Sequence, residues 1–209
     1  TSGIKTNLVC IGSYIQAAKN NAHIFGSGIR IPKKHTNFTN LNVSVVRGPL
    51  TKKFLESMNI KVPNVYGDPA LLLPKFYKPK NIITLKDKIG IIPHKSNYHK
   101  YTYIKEHKKY FLINPGDKWE NVINQLCSCK AIISSSLHGL ICSDAYSIPN
   151  LWLNEFKISE GDFKFRDYFG SQNREYIKIN NLNEYHADLL YSGGNNVNLD
   201  KLILSFPFS

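Results

Sequence analysis

Arginine is scarce in this chain. Only Arg30, Arg47, Arg166 and Arg174 occur among 27 Lys+Arg, so the remaining 23 basic residues are lysines. Bidentate reading of base edges and phosphates favours the planar guanidinium, and its scarcity disfavours a sequence-reading DNA binder. Four cysteines in 209 residues are too few for a disulfide framework. Cys127 and Cys129 are separated by one residue, too tight for the usual zinc knuckle, and no second Cys/His pair stands at ligand spacing nearby. Cys10 and Cys142 lie in apolar runs and read as buried, reduced thiols. No apolar run approaches the roughly 18 residues of a membrane-spanning helix, and no basic-then-apolar leader opens the chain. G-x-G-x-x-G and G-x-x-x-x-G-K-[ST] are both absent, which leaves dinucleotide binding and P-loop hydrolysis without support. These absences suit a cytosolic protein with no metal and no cofactor.

Hydrophobic residues make up 42% and charged residues 20% of the chain, an ordinary globular usage. The charge is unusual: 27 basic against 15 acidic residues give a formal net charge of +12. A surplus of that size implies an anionic partner, whether nucleic acid, an anionic membrane face or a phosphorylated substrate.

Short apolar runs alternate with helical patterns along the chain. Asn7–Gly12, Ala22–Phe25 and Val43–Arg47 read as strands, followed by an amphipathic helix over Leu50–Met58. A turn at residues 66–69 precedes the apolar run Ala70–Leu73. Residues 75–88 are basic and aperiodic and read as a linker. A second series follows: strands at Ile89–Pro93, Tyr110–Asn114, Ala131–Ser134 and Asn150–Leu153, with helices at Trp119–Cys127 and Gly139–Tyr146. Asp117 is placed to cap the first of these helices, whose apolar face would carry Trp119, Val122, Ile123 and Leu126. Such alternation indicates parallel βαβ units and an α/β fold. Asp162–Asp167 mixes acids and bases in a stretch that could close over a crevice, although its charges taken singly read as a solvated loop, and the aromatics around them (Phe156, Phe163, Phe165, Tyr168, Phe169) as core.

The sharpest chemical signal is Ser134-Ser135-Ser136-Leu137-His138-Gly139. It lies between a buried strand and a helix, where an open parallel sheet places its ligand crevice. Three hydroxyls and the N–H groups of a helix N-terminus suit a phosphate or carboxylate. His138 adds an imidazole that can donate or accept a proton. The bland alternative, a Ser-rich turn capping a helix, is about as well supported by spacing alone. Arg47 ends a strand before Gly48-Pro49 and is a candidate bidentate anion clamp, against a surface arginine as the alternative. His94 repeats the strand-end position after Ile89–Pro93. Gly67-Asp68-Pro69 reads first as a tight turn, with Asp68 available to orient a neighbour.

Together these residues resemble the polysaccharide pyruvyl transferase family. The resemblance runs from about Phe25 to Phe169. It is carried by FGSGI (25–29), VSVVRGPLTKKFLE (43–56), YGDPALLLP (66–74), KIGIIPH (88–94), INP with a following W-E (113–120), NQLCSCKAIISSSLHGLICSDAYSIPNLWL (124–153) and FKFRDYF (163–169). It implies two Rossmann-like parallel-sheet domains similar to the GT-B glycosyltransferases. It also implies transfer of pyruvate from phosphoenolpyruvate to a sugar as a cyclic ketal. By that resemblance Arg47 and His138 are the donor-binding and catalytic pair, with His94, Ser134, Ser135, Ser136, Gly139 and Asp68 around the substrate. Some relatives carry an arginine where this chain has Ser136. The family pattern opens with a Gly/Asn/Asp-rich strand and loop, which implies that the N-terminal half is incomplete here. The implied domains are 1–74, a linker over 75–88, a donor-binding domain over 89–170, and an extension over 171–209 that returns to the first.

The partners that follow are phosphoenolpyruvate, a saccharide acceptor that suits a lipid-linked form, and an anionic inner-membrane surface that draws on the lysines of 75–88 and 105–109. Two rivals differ in class. A nucleotide-sugar glycosyltransferase of the same architecture would answer to nucleoside diphosphates. A non-enzymatic polyanion-binding module would lose affinity steeply with salt.

Overall fold

A computed structural model describes residues 7–32, 38–154 and 162–208; Phe156 lies outside the described residues. The chain divides into two compact units, each built on its own all-parallel sheet. Of the described residues, the first unit takes 7–69, 162–176 and 196–208, and the second 70–154 and 177–195.

In the first unit, β1 (Leu8–Val9), β2 (Ala22–Phe25) and β3 (Leu41–Val45) lie side by side in that order. A parallel bridge from Val46 to Tyr66 extends the β3 edge. Ile24, Val46, Leu55 and Ile60 bury their side chains in one cluster with Ile15 and Ile29. Helix α1 (Pro49–Glu56) begins with Pro at its first turn, where the missing N–H costs nothing.

In the second unit the sequence order of strands is β4 (Ile89–Ile92), β5 (Tyr110–Leu112), β6 (Ala131–Ser134), β7 (Asn150–Leu153) and β8 (Lys178–Ile179). Their spatial order is β5-β4-β6-β7-β8, every pair parallel. All four residues of β4, β6 and β7 are buried, the pattern of a parallel sheet covered on both faces. Alternation divides the side chains: Ile89, Ile91, Ile133 and Leu151 enter one core, and Ile92, Ile132 and Leu126 the other. Each such burial contributes about 1.5–3 kcal/mol. Residues 75–88 belong to this unit: α2 (Leu73–Phe76) and a 3-10 turn at Ile83–Leu85 flank a strap, and Leu85 is buried in the second core.

Four local expectations change. Helix α3 (Trp119–Ser128) has no side-chain cap at its start, because Asn114 Nδ2 donates to Asp117 Oδ1 at 2.7 Å and claims the expected cap. Trp119 is 52% exposed rather than part of the apolar face. Helix α4 (Leu137–Ala145) starts two residues early and includes His138. Residues 163–171 form helix α5 (Phe163–Ser171), on which Lys164 and Asp167 are buried; they are not a solvated loop. Helix α6 (Leu199–Leu204) closes the first unit, with Leu202 against Gly67.

Candidate active site

The second unit reverses its strand order between β4 and β6. The chain leaves β4 for β5 on one side and returns to place β6 on the other. Ligands of open α/β sheets bind outside the carboxyl ends of strands at such a switch point. Six of the expected residues come together here. His94 lies two residues beyond β4, and Ser134–Gly139 run from the end of β6 into α4.

Buried hydroxyls shape this edge. Ser134 Oγ donates to the Ile92 carbonyl at 2.8 Å and accepts from the Ser136 N–H at 3.0 Å. Ser135 Oγ accepts from the His94 N–H at 2.9 Å. Ser134 and Ser135 are buried, so they tie the β4 and β6 loops together rather than face a ligand. Ser136 and His138 are half-buried. Ser136 is the N-cap of α4 but makes no side-chain cap bond, so its hydroxyl is not consumed by the helix end. The positive end of the helix dipole acts at this point. His94 Nδ1 shares a hydrogen bond with Ser96 Oγ at 2.8 Å; when the hydroxyl donates, Nε2 carries the proton and can donate to an anion. Gly139 permits the geometry by its size: a Cβ there would stand 2.2 Å from Ser134 Oγ.

The carboxyl edge of the first unit gathers Gly26–Gly28, Arg47 and Asp68. The Gly26 N–H donates to the Val45 carbonyl, the Arg47 N–H to Ser27, and the Gly67 N–H to Val46. Arg47 is 0% exposed. Its Nε donates to Asp167 Oδ2 at 3.1 Å, Nη1 to Ser13 Oγ at 2.7 Å and Nη2 to the Ile29 carbonyl at 2.9 Å. Nη2 also lies 3.1 Å from Asp167 Oδ2. Gly28 makes room for this: a Cβ there would meet the guanidinium carbon at 2.3 Å. The Arg47 guanidinium is thus turned into the protein and neutralised by Asp167. Asp68 is fully buried, beside Cys10, whose thiol is pushed up by burial and then by the Asp68 carboxylate.

Residues 8–155 match the family described as polysaccharide pyruvyl transferase. The chain belongs to that family. It is also 28% identical over 178 residues to a protein of Acanthamoeba polyphaga mimivirus named Uncharacterized protein L143. That similarity covers 80% of this chain and 62% of the viral protein. No solved structure is significantly similar.

In this pyruvyl transferase family member, residue-by-residue reading passed over Asp167, Thr51 and Lys164. Asp167 also accepts from the Thr51 N–H at 2.8 Å and from Thr51 Oγ1 at 2.7 Å, so it serves Arg47 and the start of α1 together. The partners are 120 positions apart for Arg47, and the mixed charges of 162–167 and the FKFRDYF resemblance point to this segment without naming Asp167 as the partner. Lys164 is 8% exposed; burial, then Arg30 and Arg47, lower its pKa to about 8. Cys127 and Cys129 are pushed up to about 12 by burial and stand as neutral thiols. Cys10 and Cys142 are half-buried rather than buried as expected. Among the described residues no group of three or more His, Cys, Asp or Glu is arranged to hold a metal. Nor is any helix among them long and apolar enough to cross a membrane.

Proposed function

We propose that this protein transfers pyruvate from phosphoenolpyruvate to two hydroxyls of a sugar, on a cell-surface polysaccharide or its lipid-linked precursor. Family membership supports the reaction class. The observation that carries the site is the meeting of His94, Ser136 and His138 at the β4/β6 switch point. Phosphoenolpyruvate sets a carboxylate and a phosphate on one carbon, and the α4 N-terminus with Ser136 and His94 offers donors to such a dianion.

The reaction balances without an oxidant. A proton reaches the methylene carbon, which becomes a methyl group, and the adjacent carbon takes oxocarbenium character. One sugar hydroxyl attacks that carbon, the C–O bond to phosphate breaks, and the second hydroxyl closes the ketal. The two hydroxyl protons end on the methyl carbon and the released phosphate. His138 is the proposed group that gives and takes these protons, a contribution of about 10²–10⁴-fold. Ser134, Ser135 and Gly139 hold the loop that carries it. Arg47 is proposed as a positioning residue that sets the carboxyl edge of the first unit, and Asp68 lies on the same edge.

We propose further that the two parallel-sheet units follow the GT-B plan, supported by two such sheets in one chain. The enzyme is proposed to work in the cytoplasm on the inner membrane face. Thermal-shift measurements with phosphoenolpyruvate and with nucleotide sugars test the donor, followed by phosphate-release assays on lipid-linked sugars. Stabilisation by phosphoenolpyruvate alone is the expected result. Stabilisation by a nucleotide sugar and not by phosphoenolpyruvate would overturn the reading in favour of a glycosyltransferase.

A further inference from the structure

Trp119 and Phe76 are large apolar side chains left standing in solvent. Phe76 is 79% exposed, Ile83 74% and Trp119 52%. Trp119 opens α3, while Phe76 ends α2 and Ile83 begins the 3-10 turn, so the last two stand at the two ends of the strap that runs along α3. The strap is fixed there: Tyr77 packs edge-on against Trp119 with ring centroids 4.9 Å apart. Tyr77 Oη donates to Asn124 Oδ1 at 2.9 Å, and the Lys80 N–H to the same oxygen at 2.7 Å. The Ile82 N–H donates to Ser128 Oγ at 2.8 Å, and Tyr146 Oη reaches the Tyr77 carbonyl from α4 at 2.9 Å. Trp119 therefore stands at the N-terminal end of α3 against Tyr77, the residue after Phe76, and the Ile82–Ser128 bond holds the Ile83 end of the strap at the other end of the helix, roughly 14 Å away along it.

Around these side chains the charge is mostly of one sign. Lys75 on α2, Lys78 and Lys80 on the strap and Lys86 just after the 3-10 turn are exposed, as is Lys118 beside Trp119. Against them stand Asp87, Glu120 and Asp117, the last already hydrogen-bonded by Asn114.

We propose that this face of the second unit docks on an anionic membrane surface, with Phe76, Trp119 and Ile83 entering the interface and the lysines meeting anionic headgroups. Exposed Trp and Phe flanked by lysine are the side chains that settle at the boundary of a bilayer. Lysine supplies point charge for a diffuse anionic surface, where a nucleic-acid reader would draw on arginine. The face also borders the candidate active site. Trp119 follows the loop at the carboxyl end of β5, and Lys95, next to His94, has its Cε where it would contact a Cβ on Gly116 at 3.6 Å. Docking here brings that edge to the depth of a lipid-linked sugar. The docking itself stands without the pyruvyl-transfer reading, since it needs neither donor nor acceptor.

Fluorescence and co-sedimentation with vesicles test it in the absence of substrates. Of the two tryptophans, Trp152 is 1% exposed, so a change on binding reports Trp119. The expected result is a blue shift with phosphatidylserine-containing vesicles, quenching by brominated lipid, and no binding to phosphatidylcholine alone. Phe76→Ser with Ile83→Ser should weaken binding at least about tenfold. Lys78→Glu with Lys80→Glu should weaken it by at least the same factor, at about fivefold per lysine lost. Circular dichroism confirms that the variants remain folded. No vesicle binding, binding indifferent to anionic lipid, or binding that survives both double variants would overturn the proposal. Self-association abolished by Phe76→Ser with Ile83→Ser, without vesicle binding, would assign the face to a second copy and overturn it as well. Failure of phosphoenolpyruvate to bind would leave these outcomes unchanged.

Discussion

Replacing Asp167 tests the architecture of the first unit. Its carboxylate faces the buried Arg47 guanidinium and receives both the N–H and the hydroxyl of Thr51. Asp167→Ala strands a fully buried guanidinium, a loss that costs about 3–5 kcal/mol when one partner of a buried pair is removed. The lost bonds to Thr51 at the α1 N-terminus add about 1 kcal/mol. Asp167→Asn keeps the shape and an oxygen for the Thr51 N–H but removes the counter-charge, so about 3 kcal/mol is expected. Arg47→Met with Asp167→Leu removes both charges together and should cost less than Asp167→Ala alone. Native-state hydrogen exchange at the amides of β2 and β3 reads the first unit by itself, without assuming two-state unfolding of the whole chain. If Asp167→Asn exchanges within about 0.5 kcal/mol of wild type, Arg47 does not depend on this carboxylate and the positioning role fails.

Two further predictions concern named contacts. Gly139→Ala brings a methyl group to 2.2 Å from Ser134 Oγ and 3.3 Å from Ile92 Cβ; the second unit should lose about 1–3 kcal/mol in urea unfolding, and phosphoenolpyruvate binding should weaken with it. Wild-type stability in that variant would contradict the packing described. Lys164, lowered from 10.5 to about 8 by burial and then by Arg30 and Arg47, carries its full penalty below pH 8. Between pH 8 and 10.5 the unfolded chain holds a proton that the folded chain has released, so stability rises with pH. Relative to Lys164→Met the rise should reach roughly 2–3 kcal/mol. A difference that stays flat over that range, measured by denaturant titration, would refute it.

The second unit was more legible in the sequence than the first, for physical reasons. Its central strands β4, β6 and β7 are buried on both faces and so appear as unbroken apolar runs. The Ser134–Gly139 site follows one of them directly. β8 has two residues and α5 buries a lysine and an aspartate, so neither presents a periodic apolar signal. Arg47 was visible as a strand-end arginine, but its burial depends on Asp167, a partner 120 positions away. Trp119 fits the apolar face by spacing yet is 52% exposed, because helical periodicity cannot distinguish an apolar side chain in the core from one left in solvent. The Asp117 cap was lost to Asn114, a competing local bond that spacing does not reveal.

Phosphoenolpyruvate is proposed to bind at the switch point between β4 and β6. Titrating the donor into isotope-labelled protein and following the backbone amides by nuclear magnetic resonance tests this without any acceptor. Saturable shifts concentrated at His94–Ser96 and Ser136–Gly139, weakened by His138→Gln, are the expected result. Saturating donor that leaves those amides unmoved, or shifts gathered on other residues, would contradict it.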